Sequence, residues 1–205
     1  MYVPQHFAMG HADLRALLAR PAGDLVTATA DGLKATFLPF VHDAGAGPHG
    51  ALLGHLARNN DQWRVPPVGE AMVVLRGPDG YVSPGWYASK AEHGRVVPTW
   101  NYVTVHVHGE LVVHDDVAWL RDLVGRLTDL HEAGRQGPWS VADAPDAFVA
   151  GQLRAIVGVE LRISRIEAKA KLSQNRPPAD VDGVVRGARA AGDTALADAV
   201  EAARR

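Results

Sequence analysis

The chain has 205 residues, of which 47% are hydrophobic and 21% charged, and its formal net charge is −2. That length suits one domain with a small appendage, and that composition an ordinary globular protein. The near-neutral charge speaks against a broad cationic face for nucleic acid, and the lack of cysteine excludes disulfides, thiolate catalysis, Fe–S clusters and Cys-ligated zinc.

The opening MYVPQHFAMGHADL has no basic n-region and no long apolar run, so no secretory leader is expected. No apolar stretch approaches the ~18 residues of a membrane span, and the cytoplasm is the default location. Residues 11–20 read as a helix with Leu14, Leu17 and Leu18 on one face, stopped by Pro21. Residues 25–30 and 33–41 read as strands joined by a tight turn at Asp31-Gly32, since Asp-Gly between two such runs is a strong hairpin signal.

His42 to Gly50, HDAGAGPHG, contains Gly45-x-Gly47-x-x-Gly50, formally a dinucleotide fingerprint. Pro48 lacks an N–H where donors should face a pyrophosphate, and no strand–helix alternation surrounds it. A glycine-rich hairpin loop is the simpler expectation. Residues 51–56 form the next strand, residues 57–63 a polar turn or short helix, and residues 71–76 an apolar strand. A turn is expected at Gly77-Pro78-Asp79-Gly80.

From Val103 the sequence alternates. Val103, Val105, Val107, Leu111 and Val113 point one way; Thr104, His106, His108, Glu110 and His114 point the other. Asp115 or Asp116 can cap a helix over residues 117–131, whose leucines make an apolar stripe. A short helix at 146–153, a long strand at 156–168 and two tail helices near 181–190 and 194–203 follow. The six or seven strands, mostly antiparallel through short turns, predict a small β-barrel with peripheral helices, because closure removes exposed edges. The expected division is a barrel domain over 1–176 and a helical extension over 177–205 packed on it.

Candidate chemistry lies in three places. The loop from Tyr81 to Tyr102 offers Trp86, Tyr87, Lys90, His93 and Trp100, aromatic faces with a few polar atoms, as a flat ligand requires. An aromatic corner closing a barrel or a dimer contact is the competing account. Gly54-His55-Leu56-Ala57-Arg58-Asn59-Asn60 and Lys169-Ala170-Lys171-Leu172-Ser173-Gln174-Asn175-Arg176 each bring cationic and hydrogen-bonding groups to a strand end, the combination a phosphate ester wants. His106 and His108 have a spacing that can chelate a metal, but no third ligand is evident and no metal is expected. No G-x-S-x-G elbow and no helix-turn-helix is recognisable.

Six segments carry a resemblance: MYVPQHF at the start, ATFLPF at 35–40, HGALLGHLARNNDQW at 49–63, YVSPGWYASK at 81–90, VPTWNY at 97–102 and KLSQNR at 171–176. In this order they resemble the PaiB family, FMN-binding split-barrel proteins described as negative transcriptional regulators. The resemblance implies a six-stranded antiparallel FMN-binding split barrel, pyridoxamine-phosphate-oxidase-like, and a homodimer with FMN between subunits. It further implies that the FMN phosphate meets His55, Arg58, Lys171, Ser173 and Gln174, with Leu56 also in the cofactor site. The flavin ring would lie against Thr36, Phe37, Leu38, Pro39, Trp100 and Asn101, with Trp86, Tyr87, Lys90 and His93 on the substrate side. No catalytic residue is assigned.

Two functions follow. One is a flavin-binding dimer that represses transcription, acting indirectly, since the charge and the missing reader helix argue against tight DNA binding. The other is an FMN-dependent oxidoreductase acting on a small molecule, the cofactor bringing its own chemistry. A haem-handling protein, with His106 or His108 as ligand, is a weaker analogy at the level of the fold.

Overall fold

A computed structural model describes residues 1–204. The elements, in chain order, are α1 (His11–Leu18), β1 (Ala22–Thr29), β2 (Gly32–Pro39), β3 (Val41–Asp43), β4 (Ala51–Ala57), β5 (Ala71–Val82), α2 (Ser89–His93), β6 (Thr99–His114), α3 (Val117–Glu132), α4 (Asp146–Leu153), β7 (Ile156–Lys171), α5 (Pro178–Ala190) and α6 (Thr194–Ala202). The strands form one sheet in the order β2-β1-β5-β6-β7-β4-β3. The fold class is the expected one, an antiparallel sheet with peripheral helices. The sheet has seven strands rather than six, and its order is open, with β2 and β3 at the ends.

The seventh strand arises where one strand was expected over residues 33–41. Phe40, 1% exposed, gives its N–H to Pro21 O at 2.8 Å. There the chain changes partners: β2 pairs with β1, whereas β3 pairs with β4. The first hairpin turn is also one residue earlier than expected. Thr29 pairs with Gly32, so Ala30 and Asp31 form the turn. Thr29 Oγ1 donates to Gly32 O at 3.0 Å and accepts the Asp31 N–H at 3.2 Å. The Gly45–Gly50 segment is a loop of the β3–β4 hairpin, with positive φ at Gly47 and Gly50.

The expected turn at residues 77–80 is instead the interior of β5. A Cβ on Gly80 would lie 2.6 Å from Asp193 Oδ2 and 2.8 Å from a Leu196 methyl, so glycine there admits the start of α6. Its role is close approach rather than a bend.

The chain divides into two compact units. The first comprises Met1–Leu14, Arg76–Val105 and the segment from Glu167; the second comprises Arg15–Leu75 and His106–Ile166. In the first, α5 and α6 bury Val181, Val184, Leu196 and Val200 with Val82, Tyr87 and Leu172. Glycines on α5 let the Trp86 segment lie against it: a Cβ on Gly183 would clash with the Trp86 carbonyl, and one on Gly187 with the Trp86 indole. Asp180, 1% exposed, accepts both the N–H and the hydroxyl of Ser89, at 2.9 and 2.6 Å.

In the second unit, the apolar stripe of α3 packs Leu123 and Leu127 against Val41, Ala51 and Leu53, and Leu120 against Val149 and Leu153 of α4. Asp116 caps α3 by accepting the Trp119 N–H at 2.8 Å. A Cβ on Gly158 of β7 would strike the Trp119 ring, which stacks on His114 with centroids 4.1 Å apart.

Candidate functional site

The first unit contains a cavity of about 180 Å³. Thr99 and Asn101 reach it from β6, as strand alternation dictates for residues two apart. Lys171 ends β7, and Ser173, Asn175 and Arg176 follow in the next turn; Phe7 and Pro98 supply apolar wall. Ser173 has φ +67°, unique for a non-glycine among the described residues. That left-handed backbone turns the chain at the end of β7.

Two side chains brace this turn. Gln174 Oε1 accepts the Leu172 N–H and its Nε2 donates to Ala170 O, both at 2.7 Å. Asn101, fully buried, donates through Nδ2 to Ser173 Oγ at 2.9 Å, while its Oδ1 has no hydrogen-bond partner. Lys171 Nζ donates to Thr99 Oγ1 at 2.5 Å. The Arg176 guanidinium lies 4.7 Å from the Tyr87 ring centre, a cation–π contact that orients it without neutralising it. Burial alone would raise the Asp180 carboxyl; the Ser89 hydroxyl and amide and the nearby Arg176 outweigh it and hold Asp180 below the usual carboxylate range.

Trp100 points away from Asn101. It is 51% exposed, and its indole N–H donates to Asp79 at 3.1 Å. Trp86 and Tyr87 pack with α5 and do not line the cavity; Lys90 and His93 are exposed.

The remaining sequence candidates belong to the second unit. Thr36 donates to Gln62 Oε1 at 2.6 Å and accepts from Asn60 Nδ2 at 3.0 Å. Phe37 is exposed, while Leu38 and Leu56 are buried. Pro39 and His55 line a different cavity, of about 310 Å³. The Arg58 fork grips both oxygens of Asp115, and its remaining donors bond Arg154 O at 2.7 Å and Ile156 O at 3.0 Å. Its donors are thus already committed within the protein.

Sequence reasoning missed Thr99 as a cavity residue; Asn175 and Arg176 stood in the polar cluster but were not assigned to the cofactor. The period-two alternation that puts Asn101 on the cavity side of β6 also gives Thr99, and Arg176 ends a motif already singled out. Gln62 was also missed. It is 2% exposed, and its Nε2 bonds Leu25 O and Thr27 Oγ1 at 2.9 and 3.1 Å. Much of the ARNNDQW motif therefore builds a corner rather than a ligand site.

The donor set of the first cavity fits a phosphorylated flavin. Lys171 and Arg176 supply charge, Ser173 and Asn175 supply hydrogen-bonding groups, and the unpaired Asn101 Oδ1 calls for a ligand that also donates. An anion without an O–H would leave that oxygen unsatisfied; FMN carries hydroxyl donors beside its phosphate.

Comparison with known proteins agrees with this chemistry. The family model described as "Putative FMN-binding domain" matches residues 1–165. The chain belongs to this FMN-binding family, and FMN is the cofactor that membership assigns to it. Among its relatives is the Bacillus subtilis PaiB, called protease synthase and sporulation protein PAI 2, at 30% identity over 188 residues, covering 90% of this chain and 87% of the relative. The resemblance to the PaiB family is thereby borne out.

The fold is shared with a conserved hypothetical protein of Mycobacterium tuberculosis at a TM-score of 0.57 and 14% identity, covering 86% of this chain and 94% of that one. A flavocytochrome of Azotobacter vinelandii matches at a TM-score of 0.55 and 14% identity, covering 78% and 67%. Among the described residues, no helix is long and apolar enough to cross a membrane.

Proposed function

We propose that this chain is an FMN-binding, PaiB-like negative regulator of transcription that acts as a cytoplasmic homodimer and without tight direct contact to DNA. The observation that carries the FMN site is a cavity that presents Lys171 and Arg176 and is lined also by Asn101, whose buried Oδ1 is unpaired. Lys171 and Arg176 hold the phosphate, Ser173 and Asn175 complete its hydrogen bonds, and Asn101 accepts from a flavin hydroxyl. Bound FMN supplies one- and two-electron redox chemistry. The protein's part is to orient it and shed water.

The regulatory role is supported by the PaiB family resemblance and by the PAI 2 relative, whose name refers to protease synthesis and sporulation. Its indirect character is supported by the net charge of −2 and by the fate of the C-terminal arginines. Arg189 pairs with Asp198 and Glu201, and Arg204 with Asp182. A dimer is supported by β2, an end strand whose Leu33 and Phe37 are 79% and 66% exposed, apolar surface of the kind a second copy covers.

The decisive experiment is the absorbance spectrum of freshly purified protein, with mass spectrometry of what heat releases and light scattering for the subunit count. Yellow protein releasing FMN from a dimer is expected; a colourless protein that does not take up added FMN overturns the reading. A gel shift on promoter DNA at moderate salt tests the indirect role, with no retardation by the pure protein expected.

A further inference from the structure

Each of the two cations lining the flavin cavity is held there by an uncharged partner. Lys171 Nζ donates to Thr99 Oγ1, and the Arg176 guanidinium lies over the Tyr87 ring, 4.7 Å from its centre. Burial raises the Tyr87 phenol above its ordinary pKa, so this partner stays neutral. The Tyr87 hydroxyl makes no hydrogen bond; the ring face is what meets Arg176. A cation over a ring is held through its charge, which leaves the N–H donors of the guanidinium for a ligand. Arg58 is the contrast, its donors taken by Asp115, Arg154 O and Ile156 O.

The other end of Arg176 is fixed as well. Its backbone N–H donates to Ser173 O at 3.0 Å, and the proline at 177 restricts its backbone. Tyr87 is itself rigidly placed: it is 3% exposed and shares a core with Leu172, Val181 and Val184. Asp180, whose oxygens accept from Ser89, draws on Arg176 through charge. The guanidinium is therefore in place before a ligand arrives. A long side chain that must be ordered on binding costs affinity, and one ordered beforehand does not. The planar fork also matches a phosphate edge only when it is aimed.

We propose that Tyr87 is a positioning residue for phosphate recognition: by holding Arg176 ready in the cavity, it sets the preference for FMN over unphosphorylated riboflavin. The inference rests on the FMN reading above and adds to it the group that makes the site selective for the phosphate. The family resemblance put Tyr87 on the substrate side; its place behind Arg176 gives it this different role.

The probes are FMN and riboflavin, titrated by fluorescence into the flavin-free full chain at matched ionic strength. The readout is the ratio of their affinities. The unaltered protein should favour FMN. Tyr87→Leu should cut the ratio about three- to tenfold with riboflavin affinity unchanged. Tyr87→Phe keeps the ring and drops an unpaired hydroxyl, so it should hold the ratio within about twofold. A tyrosine that merely filled the core would, on change to leucine, lower both affinities together and leave the ratio alone. If Tyr87→Leu does not fold, pentafluorophenylalanine at position 87 decides, because it keeps the aromatic shape while reversing the charge distribution of the ring face. The ratio should then fall as with leucine. A ratio unmoved by leucine or by the fluorinated ring, or lost equally in Tyr87→Phe, overturns the proposal. Lys171→Ala separates it from the FMN reading, since loss of that cation should lower the same ratio without involving Tyr87. If Lys171→Ala lowers the ratio and the Tyr87 variants do not, the role of Tyr87 alone falls. If the unaltered protein binds FMN no better than riboflavin, the phosphate assignment falls and the role of Tyr87 with it.

Discussion

Asn101 and Ser173, 72 positions apart, share one hydrogen bond of 2.9 Å that leaves the Asn101 carbonyl oxygen buried and unpaired. Here Nδ2 donates and the serine hydroxyl oxygen accepts, which leaves Oδ1 as the atom without a partner. The oxygen is then committed to whatever fills the cavity. Asn101→Leu, which keeps the volume and deletes the acceptor, should lower FMN affinity about tenfold. It should change the stability of the flavin-free protein by less than about 1 kcal/mol, since removing the orphan acceptor offsets the lost serine bond. Fluorescence titration with FMN and denaturant melts of the apo-protein measure the two effects.

Lys171 and Arg58 should separate in the same titration. Lys171→Ala removes a cation of the cavity and should weaken FMN binding at least about tenfold. The Arg58 fork is held by Asp115, Arg154 O and Ile156 O, so Arg58→Ala should reduce stability while changing FMN affinity by less than about threefold. A larger loss with Arg58 than with Lys171 would move the phosphate to the His55/Arg58 part of the set that the family resemblance implied.

Two helical glycines should respond with opposite signs. Gly125 on α3 has nothing within 4 Å of a built Cβ, so Gly125→Ala should stabilise by about 0.5–1 kcal/mol through helix propensity alone. Gly183 on α5 abuts the Trp86 carbonyl, and Gly183→Ala should destabilise by about 1–3 kcal/mol as helix and loop are pushed apart. Urea denaturation of the two variants checks both.

Gln62→Leu strands Leu25 O and Thr27 Oγ1 in a site only 2% exposed. A loss of about 2–4 kcal/mol is expected, with FMN affinity little changed. Chemical denaturation with and without FMN distinguishes this corner from a ligand contact.

Acid should weaken the fold through His42 and His55, both held below the ordinary 6.5, chiefly by burial. The unfolded chain binds protons there more readily, so stability rises with pH across this window. The contribution is complete above about pH 6.5 and declines as pH falls towards the folded-state values. Melting temperature should fall on acidification from about pH 7.5 to 5.5, and His55→Leu should flatten that slope.

The sequence made visible what local chemistry decides. An acidic cap at Asp115 or Asp116 and the stripe of α3 were legible, because periodicity and capping act within a few residues; Asn101 and Ser173 entered only through the family resemblance. Gly77-Pro78-Asp79-Gly80 misled because its composition is that of a turn. The glycine that matters, Gly80, answers to Asp193 more than a hundred positions later. Arg58 and Trp86 looked available for a ligand for the same reason. Asp115 and the α5 glycines, which occupy them, lie far along the chain. His55 was expected at a phosphate; the burial that lowers its pKa comes from its tertiary surroundings and could not be read locally.

The core of the first unit draws on segments near residue 82 and on α5 and α6, with the whole His106–Ile166 stretch in between. During synthesis, Val82 and Tyr87 therefore wait for their apolar partners until the ribosome has passed residue 196. The nascent chain carries that sticky surface through most of its elongation, which makes it a natural client for chaperones that bind emerging polypeptides.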